Sequence, residues 1–452
     1  MNRAVLTLSL IGLTATASAQ TTLTLQEALQ RALTVNNSVE RARAEIRVAD
    51  ANRQFLLSNV LPRITASGSA VRNSTDVSFG NGADARTILA KNDWSYRVVL
   101  SQPLYAGRRE FRAYSQAKLG VTGAEEAERG TEDAVLLRVA SNYLALVNAE
   151  ALIDVEKRNV VLSEKRRSQA SAFLQAGEVT RVDVLRAETA IKSAQRLMAL
   201  AEQNRENAAS RLRADLDLDG PIVAVSPAQV LPPLENEESL IRHAESSRAD
   251  IALATNNQRI AQLEVQKQRG FWFPTVTFDG GFINQKSQFP APQYAYGALR
   301  FNVPLLQSGE VEARVAAARA REIQVGLDLE TARVGAREDV RQALAGLRAA
   351  ETSFGLAKEQ LTSAEAEYAQ VFELYRAQEG TSLDVASSEN SVAEARRAVA
   401  EESLNRDLAE LRVWYAAGAL GDALNLRTGS HRPADTTHGQ LQDQNEVAGV
   451  KK

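Results

Sequence analysis

Two short stretches, Ala176 to Glu188 (AGEVTRVDVLRAE) and Ala377 to Glu389 (AQEGTSLDVASSE), hold the residues of this chain most suggestive of chemistry. Each places an aspartate three positions after a threonine: Thr180 with Asp183, and Thr381 with Asp384. That spacing caps a helix that restarts after a glycine, because hydroxyl and carboxylate satisfy its first free amides. Catalysis is poorly served elsewhere. The histidines are His243, His431 and His438, none at metal-ligand spacing, and cysteine is absent, so there is neither disulfide nor thiol chemistry. The glycines of Phe79 to Ala85 (FGNGADA) fall in a loop with no phosphate-binding helix after it. Other carboxylates follow helix-surface patterning beside Lys and Arg. The expectation is a protein that is not an enzyme and takes no cofactor or metal.

The two stretches match each other at a constant offset of 201, pairing Ala176 with Ala377, Asp183 with Asp384, Val184 with Val385 and Glu188 with Glu389. Leu100 to Gly107 (LSQPLYAG) matches Phe301 to Gly309 (FNVPLLQSG) with one residue inserted, and Leu61 to Ala70 (LPRITASGSA) matches Phe273 to Phe282 (FPTVTFDGGF). Three matches in one order mean a unit of about 200 residues written twice, a period far too long for a solenoid.

Each unit reads helix, strand, loop, strand, long helix, turn, helix. In the first, 20–214, a helix over 25–58 follows Thr24, strands cover 61–71 and 94–104, a long helix covers 109–175, and the turn 176–182 leads to a helix over 183–214. A Pro-rich linker or equatorial segment, 215–238, joins it to the second unit, 239–426. There the helix spans 240–270, the strands 273–283 and 294–304, the long helix 309–378, the turn 379–381 and the last helix 382–417. The polar tail 427–452 lacks periodicity and reads as disordered. Each long helix would reach roughly 100 Å at 1.5 Å per residue. Seams such as Leu136, Ala140, Tyr143, Val147 and Leu404, Leu408, Leu411, Tyr415 alternate spacings of three and four, which predicts coiled-coil packing.

Location follows from the start of the chain and from its strands. Arg3, the apolar run Ala4 to Leu13 and Ala17-Ser18-Ala19 read as a signal peptide over 1–19, so the mature chain is expected to begin at Gln20 outside the cytoplasm. No other segment has 18 consecutive apolar residues, so any membrane crossing must be made by strands. A net charge of −3, with both signs interspersed, argues against a nucleic-acid partner. In 64–70 the residues Ile64, Ala66, Gly68 and Ala70 alternate with polar ones, as do Trp94, Tyr96, Val98 and Leu100 in the next strand; the fourth strand is weakened by glycine. One apolar and one polar face fits a transmembrane barrel with a wet lumen. Trp94 and Tyr96 at one end, and Phe271, Trp272 and Phe273 at the other, suit an aromatic girdle against outer-membrane lipid. Four strands cannot close a barrel; two chains would supply eight and a filled interior, three would supply twelve and a lumen. The alternative is a periplasmic coiled-coil scaffold that never enters a membrane, and the four alternating strands with aromatic ends are what would discriminate against it.

At this point the chain resembles the TolC-like outer-membrane efflux proteins over nearly all of its mature length. The resemblance rests on the duplication, on Leu61-Pro62 and Phe273-Pro274 entering the odd strands, on SQPLYAGRRE and NVPLLQSGEVEARVAAARA leaving the even ones, and on the two Thr-x-x-Asp turns. It implies a mainly α chain contributing four strands to the twelve-stranded β-barrel of a homotrimer, over a long α-helical barrel in the periplasm. The function implied is a passive exit duct of a tripartite efflux or type I secretion system. Its partners would be a periplasmic adaptor and, indirectly, an inner-membrane transporter. The two turns become the closed tip, with Gly177 and Gly380 letting the chain leave its helix and Gly177, Glu178, Val179, Thr180, Glu379, Gly380, Thr381 and Ser382 available for adaptor docking. In a trimer one inward carboxylate makes a ring of three that favours cations. The family has two inward acidic positions here: Asp384 matches the first and Ser387 stands at the second, so one ring is expected. Tyr375 matches a gating tyrosine, but Gly380 stands where the family has its gating arginine. Arg181, in the other copy beside Asp183, is the candidate substitute.

Overall fold

The computed structural model describes residues 21–426 apart from 81–85, 228–230, 287–290 and 378. The expected signal peptide (1–19), the tail (427–452) and most of the FGNGADA loop lie outside the described residues. In the first half run β1 (Thr21–Leu23), α1 (Leu25–Val35), α2 (Asn37–Ser58), β2 (Arg63–Arg72), β3 (Val77–Phe79), β4 (Arg86–Leu89), β5 (Asn92–Ala106), α3 (Arg109–Ala176) and α4 (Arg181–Leu216). The second half adds β6 (Ile222–Ala224), α5 (Glu237–Ser247), α6 (Ala249–Arg269), β7 (Thr275–Gln285), β8 (Gln293–Asn302), α7 (Glu310–Arg376), α8 (Ser382–Ala416) and α9 (Leu420–Ala423). A 3-10 turn, Gly270–Trp272, leads into β7.

The duplication is structural, and it has two offsets. Leu25, Asn37 and Arg63 open α1, α2 and β2, and 212 residues later Glu237, Ala249 and Thr275 open α5, α6 and β7. From the even strands onward the offset is 201: Asn92, Arg109 and Arg181 open β5, α3 and α4, and Gln293, Glu310 and Ser382 open β8, α7 and α8. The difference lies in the loop between paired strands, where the first copy carries the antiparallel β3–β4 ribbon. The residue expected to be inserted before Gly309 is not there. Gly107 (φ 66) and Arg108 (φ 59) form a left-handed pair, and Ser308 (φ 46) and Gly309 (φ 82) repeat it at offset 201.

Several boundaries depart from the sequence reading for local reasons. The helices expected over 25–58 and 240–270 are each two. Asn36 takes an extended conformation (ψ 124) and its side chain accepts from the Ser38 amide at 3.0 Å, recapping α2. Arg248 (ψ 131) breaks the second copy, with its guanidinium held by Asp250 at 2.8 Å and Asp339 at 2.9 Å. Strands expected from Leu61 and Phe273 begin at Arg63 and Thr275, because Pro62 and Pro274 have no amide to donate. The segment 215–238 contains β6, which pairs in parallel with β1 through Thr21↔Ile222 and Leu23↔Ala224. Three-residue strands carry no readable alternation.

The four main strands form one antiparallel sheet in the order β2-β5-β7-β8. The register sorts its faces. Ile64, Ala66, Gly68 and Ala70 lie opposite Leu100, Val98, Tyr96 and Trp94, and that side continues through Gly280, Phe282, Gly297 and Leu299. The other side carries Arg63, Thr65, Ser67, Ser95, Arg97, Asp279 and Arg300, with Arg300 paired to Asp279 at 3.1 Å. The glycine-weakened fourth strand thus completes both faces.

Below the sheet, α3 (68 residues) and α7 (67 residues) run the full length of the helical part. Next to the sheet α2 and α6 pack against them, and beyond the waist α4 and α8 take their place. Alanines let the lower pair approach closely, as at Ala364, Val392 and Ala395. The largest core cluster is at the waist, where α1, β1, β6, α9 and the ends of α4 and α8 surround Val135 to Leu146 of α3. One 18-residue stretch of α3 is apolar enough to pass for a membrane span, and its buried side chains serve that core.

Tyr143 is fully buried there, its hydroxyl 2.8 Å from the Leu23 carbonyl and 2.6 Å from that of Val225, tying both belt strands to α3. Burial pushes its pKa from 10.0 up to about 12. The folded state therefore prefers the neutral phenol: this contribution to stability is complete below the unfolded pKa and is lost as pH rises through 12. Tyr143→Phe is expected to lower the guanidinium unfolding midpoint at neutral pH by a cost of about 0.5–1.5 kcal/mol, because the hydroxyl's hydrogen bonding to the Leu23 and Val225 carbonyls is lost while Leu23 keeps the Val225 amide as donor. It should also reduce the loss of stability between pH 10 and 12, which circular dichroism across that range would measure.

Candidate functional site

The two matched turns meet at the end of the molecule farthest from the sheet. The first closes α3 as a Schellman turn: Gly177 (φ 79) donates to the Leu174 carbonyl at 3.1 Å and Glu178 to that of Phe173 at 2.9 Å. The second uses its glycine differently. Gly380 is not left-handed; a Cβ there would sit 3.2 Å from the Tyr375 amide nitrogen, so a side chain would press on the backbone at the end of α7. Thr180 and Thr381 are extended N-caps, and α4 therefore begins at Arg181, two residues earlier than expected. The Asp183 carboxylate accepts from the Thr180 amide at 3.0 Å and hydroxyl at 2.8 Å, and that of Asp384 from the same groups of Thr381 at 3.0 and 2.6 Å.

Asp183 does more than cap. Its other oxygen accepts from the Ser382 hydroxyl and lies 3.6 Å from the Arg186 guanidinium, so it joins the start of α4 to the start of α8. The Ser382 bond is the main reason its pKa is held below the usual value. Two residues that the sequence reading did not single out reinforce this joint. Arg166 of α3 pairs with Glu389 of α8 and donates to the Ser382 carbonyl at 3.3 Å. Their side chains are only 15% and 10% exposed, and burial raises the Glu389 pKa against the opposing pull of Arg166. Glu389 stood out only as the repeat of Glu188; nothing in its spacing named a partner 223 residues away. Phe173 packs edge-on against Tyr375 at 6.0 Å, and burial raises the Tyr375 pKa.

Asp384 and Ser387 lie exposed one turn apart on α8, and hydrogen bonds from Thr381 lower the Asp384 pKa. Arg181 is exposed, and among the described residues no ion pair joins it to Asp384 within the chain. A cleft of about 550 Å³ opens between the turns, lined by Phe173, Val179, Asp183, Tyr375, Gly380 and Ser382 among others. Glu178, Thr180, Glu379 and Thr381 are exposed at its rim.

At the sheet end, Trp94 stacks on Tyr96 at 5.9 Å, and the Tyr96 hydroxyl accepts from Asn284 at 2.7 Å. Trp272 and Phe273 are exposed where the sheet meets the helices. Phe271 is placed differently from them, held between the guanidiniums of Arg109 at 4.3 Å and Arg314 at 4.8 Å.

A duplicated chain with a two-faced four-stranded sheet on helices this long has a known counterpart. The family model described as outer membrane efflux protein matches residues 28–216 and again 240–419, one match for each copy. The chain belongs to that family. Among curated relatives it is 22% identical to the outer membrane efflux protein BepC of Brucella suis biovar 1, over 94% of this chain and 92% of that one. It is 24% identical to the pyoverdine export outer membrane protein OpmQ of Pseudomonas aeruginosa, over 87% and 85%. The solved structure of CusC superposes with a TM-score of 0.76 at 19% identity, covering 87% of this chain and 92% of that one, which carries the fold. This efflux protein is an outer-membrane exit duct and not an enzyme, with its strands in the membrane and its helices in the periplasm. The scaffold alternative falls with that membership.

The joint between the turns can be measured. Arg166→Ala strands a largely buried Glu389 and should cost about 2–3 kcal/mol of local stability, below the cost of breaking a fully buried pair. Arg396→Ala, which breaks a more exposed pair that joins α8 to Glu365 of α7, should cost about 0–1 kcal/mol. Hydrogen exchange in the first turns of α8 should accelerate strongly in the former and little in the latter.

Proposed function

We propose that this efflux protein works as a homotrimer whose twelve strands close one barrel and whose paired turns form a gated periplasmic mouth. The carrying observation is the sheet itself: β5 and β7 are paired on both sides, whereas β2 and β8 each leave one edge of amides and carbonyls without a partner among the described residues. Hydrocarbon does not tolerate such edges, so copies must pair them. Three copies leave a lumen, and two would fill it with side chains.

At the mouth, three copies of Asp384 form a carboxylate ring, with Ser387 one turn farther along and Tyr375 behind the turn. Arg181 supplies the cation that Gly380 cannot. The exposed rim formed by Gly177 to Thr180 and Glu379 to Ser382 suits the docking of a periplasmic adaptor, which would couple the duct to an inner-membrane transporter in a tripartite efflux or type I secretion system. The test is single-channel conductance in a planar bilayer. Asp384→Ala is expected to lower the cation-to-anion permeability ratio. An unchanged ratio would count against the ring.

A further inference from the structure

We infer that the seam between neighbouring copies repeats the joint that the chain builds between its own two halves, and that this fixes the strand register of the closed barrel. The inference rests on the proposal that copies of this chain share a barrel. Its basis is the pair of offsets, 212 for the odd strands and 201 for the even ones.

These offsets already reproduce one pairing within the chain from another. Ile64↔Leu100 and Arg72↔Asn92, in the β2–β5 pair, become Val276↔Phe301 and Asn284↔Gln293, which are partners in the β7–β8 pair. Applied to the β5–β7 pair, the same operation leaves the chain: it sets β8 of one copy against β2 of the next. Val98↔Phe282 becomes Leu299 opposite Ala70 of the neighbouring copy, and Arg97↔Ile283 becomes Ala298 opposite Val71.

Two features of the isolated chain fit a missing neighbour at this register. β5 continues to Ala106 because its last residues pair through a bulge with Thr275 to Thr277. Their repeat, Pro304 to Gln307, is not a strand; Leu305 and Leu306 are 92% and 86% exposed. The operation puts this segment opposite Thr65, Ile64 and Arg63 of the next copy, which would extend β8 as β5 is extended. Beneath the sheet, Gln116 of α3 donates to the Ile260 carbonyl at 3.1 Å and accepts from Lys267 at 3.2 Å. The repeats of Ile260 and Lys267 are Val48 and Phe55, apolar residues 63% and 62% exposed on α2. They fall against α7 of the neighbouring copy, near Ala317, the repeat of Gln116. Apolar side chains thus wait where the internal joint has its contacts.

Because the chain has no cysteine, paired cysteines report the register without background. Leu299→Cys with Ala70→Cys, and Ala298→Cys with Val71→Cys, are adjacent rungs, one of which has the closer, non-hydrogen-bonded spacing. Within one chain β2 and β8 stand three strand spacings apart, about 14 Å, beyond disulfide reach. Oxidation of outer membranes should give covalent trimers on a denaturing gel for at least one of these pairs. Ala298→Cys with Ser69→Cys or with Asn73→Cys, displaced by two residues, should remain monomeric. Crosslinking of a displaced pair, or monomers from both registered pairs although native gels and conductance show intact trimers, would overturn the register alone. Variants and parent that are monomeric and do not conduct would instead overturn the shared barrel.

Discussion

A backbone amide or carbonyl in hydrocarbon has no water to fall back on, and that single constraint organises this molecule. Each chain brings four strands to the main sheet, so two of the eight strand edges there are unmet among its described residues. The proposed closure by copies leaves β2 and β8 as regular strands and would set the circumference of everything beneath. At both levels a protomer presents four helices side by side: α2, α3, α6 and α7 near the sheet, then α4, α3, α8 and α7 beyond the waist. Four strands above four helices is a match of widths that lets the helical part continue the barrel.

The duplicated chain achieves this with two continuous struts. Because α3 and α7 pass through both levels, the shorter helices can exchange at the waist, where each level needs its own termini. Those termini would expose unpaired amides and carbonyls, and the belt absorbs them: β1 and β6 pair, Arg31 donates to the carbonyls of Leu216 and Asp217 at the end of α4, and Tyr143 closes the strands onto α3. The core is therefore concentrated where the geometry changes, while the lower coiled coil relies on alanine seams and ion pairs.

Much of this was written in the sequence where periodicity is long. The 201-residue offset, the alternation of β2 and β5 and the length of α3 are patterns sustained over many residues, and patterns of that length survive tertiary context. Short features did not show. Asn36 looks like any helix-interior asparagine until its ψ is known, and the three residues of β1 carry no period. The tip was legible as two caps but not as a joint: Thr180 with Asp183 is local, whereas Ser382 with Asp183 and Arg166 with Glu389 depend on which helices lie side by side. Phe271 shows the same limit, since its aromatic type suits a girdle and only the packing places two guanidiniums over it.

The repeat also shows where its two joints must differ. Inside the chain the β5–α3 corner meets the α6–β7 corner backbone on backbone: a Cβ on Gly107 would lie 2.1 Å from the Gly270 carbonyl oxygen. The repeated positions are Ser308 and Ser58, so the joint between copies cannot close as tightly at that point. At the tip Arg166 and Glu389 become Glu367 and Glu188, and a buried ion pair is replaced by like charges. Asp183 and Ser382 become Asp384 and Arg181, an exposed pair of opposite charges that salt would screen. With the register inferred above, the same ladder of strands runs around the whole barrel, but the helical joints alternate between one locked within a chain and one weakly held between chains. In the proposed mouth the seams between copies are therefore the weaker ones, and they are where opening is expected to part it.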